Sequence, residues 1–139
     1  FISSEEGAKN LSELEKHQIT HIICVAPDIA NAYPDKFQYH DEPVLDNEDQ
    51  DLKAMIVKCL TLIDDALAKN GRVLIHCQLG VSRSASVCIA YAMKCKNQFP
   101  FDLDAYLQEF KKVRPKVQPN PGFMKQLKEF AAKGFTSKP

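Results

Sequence analysis

Arg72-Val-Leu-Ile-His-Cys-Gln-Leu-Gly-Val-Ser-Arg-Ser-Ala-Ser86 is the stretch on which the fold turns. Val73-Leu74-Ile75 is an apolar, partly β-branched run suited to a central strand. Cys77 opens a tight loop, and Arg83 closes it six residues later. Gly80 stands mid-loop, where backbone must approach a ligand with no Cβ in the way. Ser84 and Ser86 open an apolar helix and are expected to serve as N-terminal caps. A cysteine and an arginine at this spacing carry little alone; the strand before and the helix after give them meaning. Such a layout holds a tetrahedral dianion in front of a thiolate. Loop amides converge on a centre, the helix adds its positive end, and the arginine fork clamps two equatorial oxygens. The same field lowers a thiol pKa. The expected chemistry is phosphate-ester hydrolysis through a cysteinyl-phosphate.

Outward from that stretch, strands and helices alternate. Ser3-x-x-Glu6 reads as a capping box, with Ala8, Leu11 and Leu14 following at helical spacing. Ile19 to Val25 reads as a buried strand. Phe37 to Leu45 reads as a second, weakened by Asp41, Glu42 and Pro43 and suited to a sheet edge. Residues 50–69 give the clearest helix, with Leu52, Met55, Ile56, Cys59, Leu60, Ile63 and Leu67 on one face. The helix over 84–96 is apolar nearly all round and belongs in the core. Asp102 caps a helix facing Leu103, Tyr106, Leu107, Phe110 and Val113 inward. Asn120 as N-cap and Pro121 at N1 start the last one, with Phe123, Leu127 and Phe130 inward. The pattern predicts an α/β fold with a short sheet flanked by helices.

At 139 residues the chain accommodates one domain with a sizeable core. Formal net charge is zero, and only three of the 18 basic residues are arginine, so no nucleic-acid or acidic-membrane footprint is expected. No apolar stretch approaches about 18 residues and no signal peptide is visible, which predicts a soluble protein. Five cysteines without paired spacing point to a reducing compartment, cytoplasmic and/or nuclear, rather than to disulfides or zinc. Asn10-Leu11-Ser12 matches a glycosylation triplet but falls inside a helical pattern, and is read as accidental.

His-Cys-Gln-Leu-Gly-Val-Ser-Arg-Ser (76–84) resembles the active-site motif of protein tyrosine phosphatases, His-Cys-x5-Arg-Ser/Thr. The remainder resembles the dual-specificity branch: residues 45–52 are similar to its general-acid loop. Arg114 to Leu127, with Pro119-Asn120-Pro121-Gly122-Phe123 and Gln126-Leu127, is similar to its C-terminal segment. The resemblance implies a catalytic domain over 1–133, a polar tail over 134–139, and one mainly parallel central sheet with most helices on one face. The family has a further strand ahead of Phe1, expected to be reduced here or supplied upstream. An apolar residue is usual where Glu42 stands.

Cys77 is then the expected nucleophile and Arg83 the phosphate clamp, with the amides of Gln78, Leu79, Gly80, Val81, Ser82 and Arg83 binding the phosphoryl oxygens. Asp46, 31 residues upstream of the cysteine, is the general acid implied by the resemblance, with Asp49 its rival. Ser84 is implied to stabilise the thiolate as it leaves. His76 lies on the strand, faces away from Cys77 and is expected to orient the loop from behind. His17, His21 and His40 read as structural. Cys24, Cys59, Cys88 and Cys95 are expected in the core, Cys88 being the candidate to capture an oxidised, redox-sensitive Cys77. No metal or cofactor is expected. The aromatic segment that deepens the pocket of tyrosine-specific phosphatases is missing, so a shallow pocket is expected to admit phosphotyrosine, phosphoserine and phosphothreonine of phosphoprotein substrates. Loop residues 78, 79, 81 and 82 are uncharged, which counts against phosphoinositide or RNA 5'-triphosphate substrates. The presence of Cys77, Arg83, Asp46 and Ser84 together counts against a phospho-binding module without turnover. Oligomeric state leaves no signal in the sequence.

Overall fold

A computed structural model describes residues 1–27, 29–98 and 100–134. Four strands, β1 (Ile2–Ser3), β2 (His21–Cys24), β3 (Gln38–Asp41) and β4 (Val73–His76), form one sheet in the order β1-β4-β2-β3. Every neighbouring pair is parallel, with Ile23 beside Ile75 and Cys24 beside His76. The helices are α1 (Glu5–Ala8), α2 (Leu11–Lys16), α3 (Lys53–Ala68), α4 (Arg83–Lys96), α5 (Leu103–Val113) and α6 (Pro121–Lys133). All four residues of β4 are buried, as a strand covered on both faces requires. Val73 and Ile75 point into the larger core, made with Met55, Ile56, Cys59 and Leu60 of α3, Val87 and Ile89 of α4, and Phe123 and Leu127 of α6. Leu74 points the other way, into a smaller core with Ala8, Leu14, Ile22 and Phe37. α4 carries five fully buried side chains from Ser84 to Ile89 and so leads from the end of β4 straight through the core.

Several expectations are corrected. The proposed capping box fails because Ser3 is taken into β1; the carbonyl of Phe1 accepts from the Ile75 amide at 2.9 Å, extending that pairing. Ser4 caps α1 instead, and Asn10 restarts the chain as α2. Among the described residues the strand beside β4 on this edge is the two-residue Ile2–Ser3. β3 is an edge strand but only four residues long, ending before Pro43. Glu42 is accommodated by a hydrogen bond to His40 Nε2 at 2.6 Å and an ion pair with Lys58 at 3.2 Å. Leu67 is 43 % and Val113 85 % exposed, because each lies in the last turn of its helix, past the end of the surface it packs on. The tail expected over 134–139 lies, from residue 135 onward, outside the described residues.

Candidate active site

The loop from Cys77 to Ser82 crosses from the end of β4 to the start of α4 with its carbonyls turned outward and tied down. The Gln78 carbonyl accepts from the Glu5 amide at 3.0 Å, and the Val81 carbonyl from the Gln118 amide at 2.7 Å. Arg114 donates from Nε to the Gly80 carbonyl at 3.1 Å and from Nη2 to the Leu79 carbonyl at 3.5 Å. In a trans peptide the C=O of one residue and the N–H of the next point opposite ways. Four outward carbonyls at 78–81 therefore aim the amides of residues 79–82 inward, at a common centre. The Gly80 amide shows that aim directly, donating to Cys77 Sγ at 3.2 Å. Gly80 has φ +70°, and a Cβ there would meet the Arg114 guanidinium and lie 2.8 Å from the Ser3 carbonyl oxygen. Only glycine fits both the dihedral and the space.

Cys77 is buried at the centre of this cradle, its Sγ 3.2 Å from Ser84 Oγ. Burial is the largest influence on its thiol and pushes the pKa up. The Ser84 hydroxyl and amide, the Gly80 amide and the Arg83 guanidinium more than reverse that, and hold the thiol below its ordinary 9.0. At the other buried cysteines burial outweighs every lowering contact: it pushes Cys24 up to about 11 and Cys59 up to about 12. Cys88, only partly buried, is likewise pushed up to about 11. Cys95 is exposed, contrary to expectation, because the last turn of α4 carries it out to solvent.

Ser84 and Ser86 do not cap α4. Ser82 holds the N-cap position, Ser86 Oγ donates to its carbonyl at 2.8 Å, and Ser84 turns inward to the thiol. Arg83 is the first helical residue and is 8 % exposed. Its Nη1 donates to the Val44 carbonyl at 3.1 Å, while Nε is buried with no hydrogen-bond partner among the described residues. A guanidinium anchored at one corner, with a buried donor unspent, is suited to a bidentate oxyanion contact. His76 is buried on the α1 face of the sheet, opposite Cys77, with Nδ1 3.4 Å from the Cys77 carbonyl oxygen. Burial holds its imidazole below the usual 6.5, hence neutral.

The segment carrying Asp46 and Asp49 follows Val44, so Arg83 links it to the cradle. The two aspartates differ in anchorage. Asp46 Oδ1 accepts from Asn120 Nδ2 at 2.9 Å, and the Asn120 amide donates to Ser82 Oγ at 3.0 Å. Asp49 is exposed, as Asp46 is, and among the described residues only its backbone amide is bonded, to Asn47 Oδ1 at 3.1 Å. Further along, Gln126 donates to the Gln50 carbonyl at 2.9 Å and accepts from the Leu52 amide at 2.6 Å. The Glu48 backbone packs so closely on Gly122 that a side chain there would overlap it.

The geometry thus brings Cys77, Arg83, Ser84 and the loop amides together, and joins Asp46 to them through Asn120. Arg114, Gln118, Asn120 and Gln126 are parts of the site that spacing near the cysteine does not reveal. The signal available was the segment 114–127, noted above only as a resemblance.

Residues 1–133 match the family described as dual specificity phosphatase, catalytic domain. Among curated proteins, protein phosphatase Slingshot homolog 3 of Rattus norvegicus is 41 % identical over 130 residues, 94 % of this chain and 20 % of that protein. Dual specificity protein phosphatase 1 of Arabidopsis thaliana is 37 % identical over 129 residues, 93 % of this chain and 64 % of the relative. The chain therefore spans only about a fifth of the Slingshot relative's length. The crystal structure of human DUSP28 superposes with a TM-score of 0.85 at 28 % identity, covering 94 % of this chain and 90 % of that one. The parallel sheet, the Cys77–Arg83 cradle and the match over residues 1–133 agree: the chain belongs to the dual-specificity phosphatase catalytic-domain family.

Proposed function

We propose that this domain hydrolyses phosphotyrosine and phosphoserine/phosphothreonine in phosphoproteins through a cysteinyl-phosphate. The observation that carries the reading is Cys77 Sγ, buried yet held below its ordinary pKa within a ring of inward amides closed by Arg83. In the first step Sγ forms a bond to phosphorus while the ester P–O bond breaks, and the leaving oxygen takes a proton from Asp46. The amides of residues 79–82 and the Arg83 fork carry the charge on the equatorial oxygens, which is the main stabilisation in a loose phosphoryl transfer. In the second step water attacks phosphorus and gives a proton to the Asp46 carboxylate. The S–P bond breaks and inorganic phosphate leaves. Ser84 Oγ, 3.2 Å from Sγ, donates a hydrogen bond to the departing thiolate. His76 supports the loop from behind.

A phosphoprotein fits better than a polyphosphorylated ligand because the side chains of the cradle loop at 78, 79, 81 and 82 are uncharged. Gln78 and Leu79 are exposed there, and neither neutralises a second phosphate. A reducing compartment, cytoplasm or nucleus, keeps Cys77 in its working state. Turnover of phosphotyrosine and phosphothreonine peptides, a phosphoinositide and an RNA 5'-triphosphate, with Cys77→Ser as control, tests the reading. Peptide turnover that is lost in Cys77→Ser supports it. Turnover of the phosphoinositide or RNA with none of the peptides contradicts it.

A further inference from the structure

The start of α6 is cast against the segment carrying Asp46 at three points: Asn120 on Asp46, Gly122 on Glu48, and Gln126 on Gln50 and Leu52. Asn120 has the most constrained part. As N-cap of α6 its Oδ1 accepts from the Phe123 amide at 2.9 Å, so its Nδ2 is the end left to face Asp46. Its own amide is spent on Ser82 Oγ in the phosphate cradle. The side chain therefore cannot turn over without losing the cap, and it meets Asp46 Oδ1 only as a donor.

We infer that Asn120 selects which oxygen of Asp46 carries the proton, and so acts as the positioning residue for acid catalysis. This rests on the reading of Asp46 as general acid. The carbonyl oxygen of a carboxylic acid is its better acceptor, so a donor on Oδ1 leaves the transferable proton on Oδ2. When the proton has gone, the same bond steadies the carboxylate that must accept one from water in the second step. The capping requirement makes the arrangement self-checking, since the contact that starts α6 also fixes the orientation of the amide.

The elements on either side of Asp46 carry these charged and titratable groups: its own segment Glu48, Asp49 and Asp51; α4 Arg83, bonded to the Val44 carbonyl; the cradle Cys77, braced by Arg114; and α3 Lys53, paired with Glu129 of α6. The first turn of α6, Pro121 to Met124, brings no charge, so Asn120 is its polar contribution.

Two substitutions keep the cap and change only what meets Asp46. Asn120→Ser caps α6 but does not reach Oδ1. Asn120→Asp caps equally and places an acceptor against Oδ1, drawing the proton onto the wrong oxygen. The measurement is the pH–rate profile and the dependence of rate on leaving-group pKa, over a series from strongly activated aryl to alkyl phosphates, with Asp46→Asn alongside. Both Asn120 variants are expected to steepen the leaving-group dependence, with alkyl phosphates losing about tenfold more than activated esters. In Asn120→Asp the alkaline limb moves to higher pH, because two facing carboxyls hold a proton more tightly. Unchanged slope and limb in both variants, while Asp46→Asn alters both, would reduce Asn120 to a helix cap and overturn the inference alone. If Asp46→Asn leaves slope and limb unchanged, the acid assignment fails and this inference falls with it.

Discussion

In the proposed mechanism the phosphate cradle and the Asp46 segment take complementary halves of one reaction, and they are built in opposite ways. The cradle is buried between β4 and α4, and its outward carbonyls at 78–81 are held by α1, Arg114 and Gln118. The Asp46 segment lies in the open; Leu45 is 51 % exposed, and the segment is steadied mainly from α6. A nucleophile and oxyanion cradle must be in place before the substrate arrives, because their effect depends on fixed dipoles in a low-dielectric setting. An acid must reach leaving groups of different shape, so it belongs where the substrate enters. On that mechanism the parts that stabilise charge are buried and hydrogen-bonded, and the part that exchanges protons is open.

Substitutions in the two regions should therefore fail in different ways. The largest effect is expected from Arg83→Lys. Lysine keeps the charge but loses the planar fork, so turnover of every ester should fall by about a thousandfold, whatever its leaving group. A loss confined to poor leaving groups would show that Arg83 serves the Asp46 segment rather than the cradle.

Next in size is Asp46→Asn. It should cost about a hundredfold with alkyl or phenyl phosphates and far less with activated esters. It should also remove the alkaline limb of the pH–rate profile, because a general acid works only while protonated. If Asp49→Asn gives this pattern and Asp46→Asn does not, the better-anchored aspartate is not the acid.

Ser84→Ala is a smaller perturbation, confined to the cradle. The attacking thiol must be ionised, so activity rises with pH through its pKa, which burial raises and the Ser84, Gly80 and Arg83 contacts lower below 9.0. Removing the hydroxyl takes away one lowering contact, so the acid limb should move to higher pH. The hydrolysis step should slow more than the first, because the departing thiolate loses its donor. An unmoved limb would mean that the amides and Arg83 suffice alone.

How much of this was legible in the sequence follows the range of the contacts. The run Val73-Leu74-Ile75, the turn at Gly80 and the apolar helix after Arg83 are local signals, and the strand, loop and helix stand where they point. The placement of His76 behind the sheet follows from strand alternation alone. Arg114 reaches carbonyls 34 and 35 residues back, and Asn120 reaches Asp46 across 74. No periodicity encodes such pairings. Ser84 shows a subtler failure: a serine at a helix start reads as a cap, but the nearby thiol is the partner it takes. Cys95, Leu67 and Val113 mark a third kind. Helical spacing says which side of a helix is apolar, but not where along its length the surface beneath it ends.

The proposed mechanism requires a bond between phosphorus and Cys77 Sγ. A single turnover of a phosphotyrosine peptide by Ser84→Ala, quenched in acid and mapped by mass spectrometry, tests it directly. The substitution slows the second step and lets the intermediate accumulate. The predicted result is a burst of dephosphorylated peptide, stoichiometric with enzyme, and a phosphoryl group on the peptide containing Cys77. A burst with the phosphoryl group on any other residue, or steady turnover with no phosphoenzyme at any time, would contradict it.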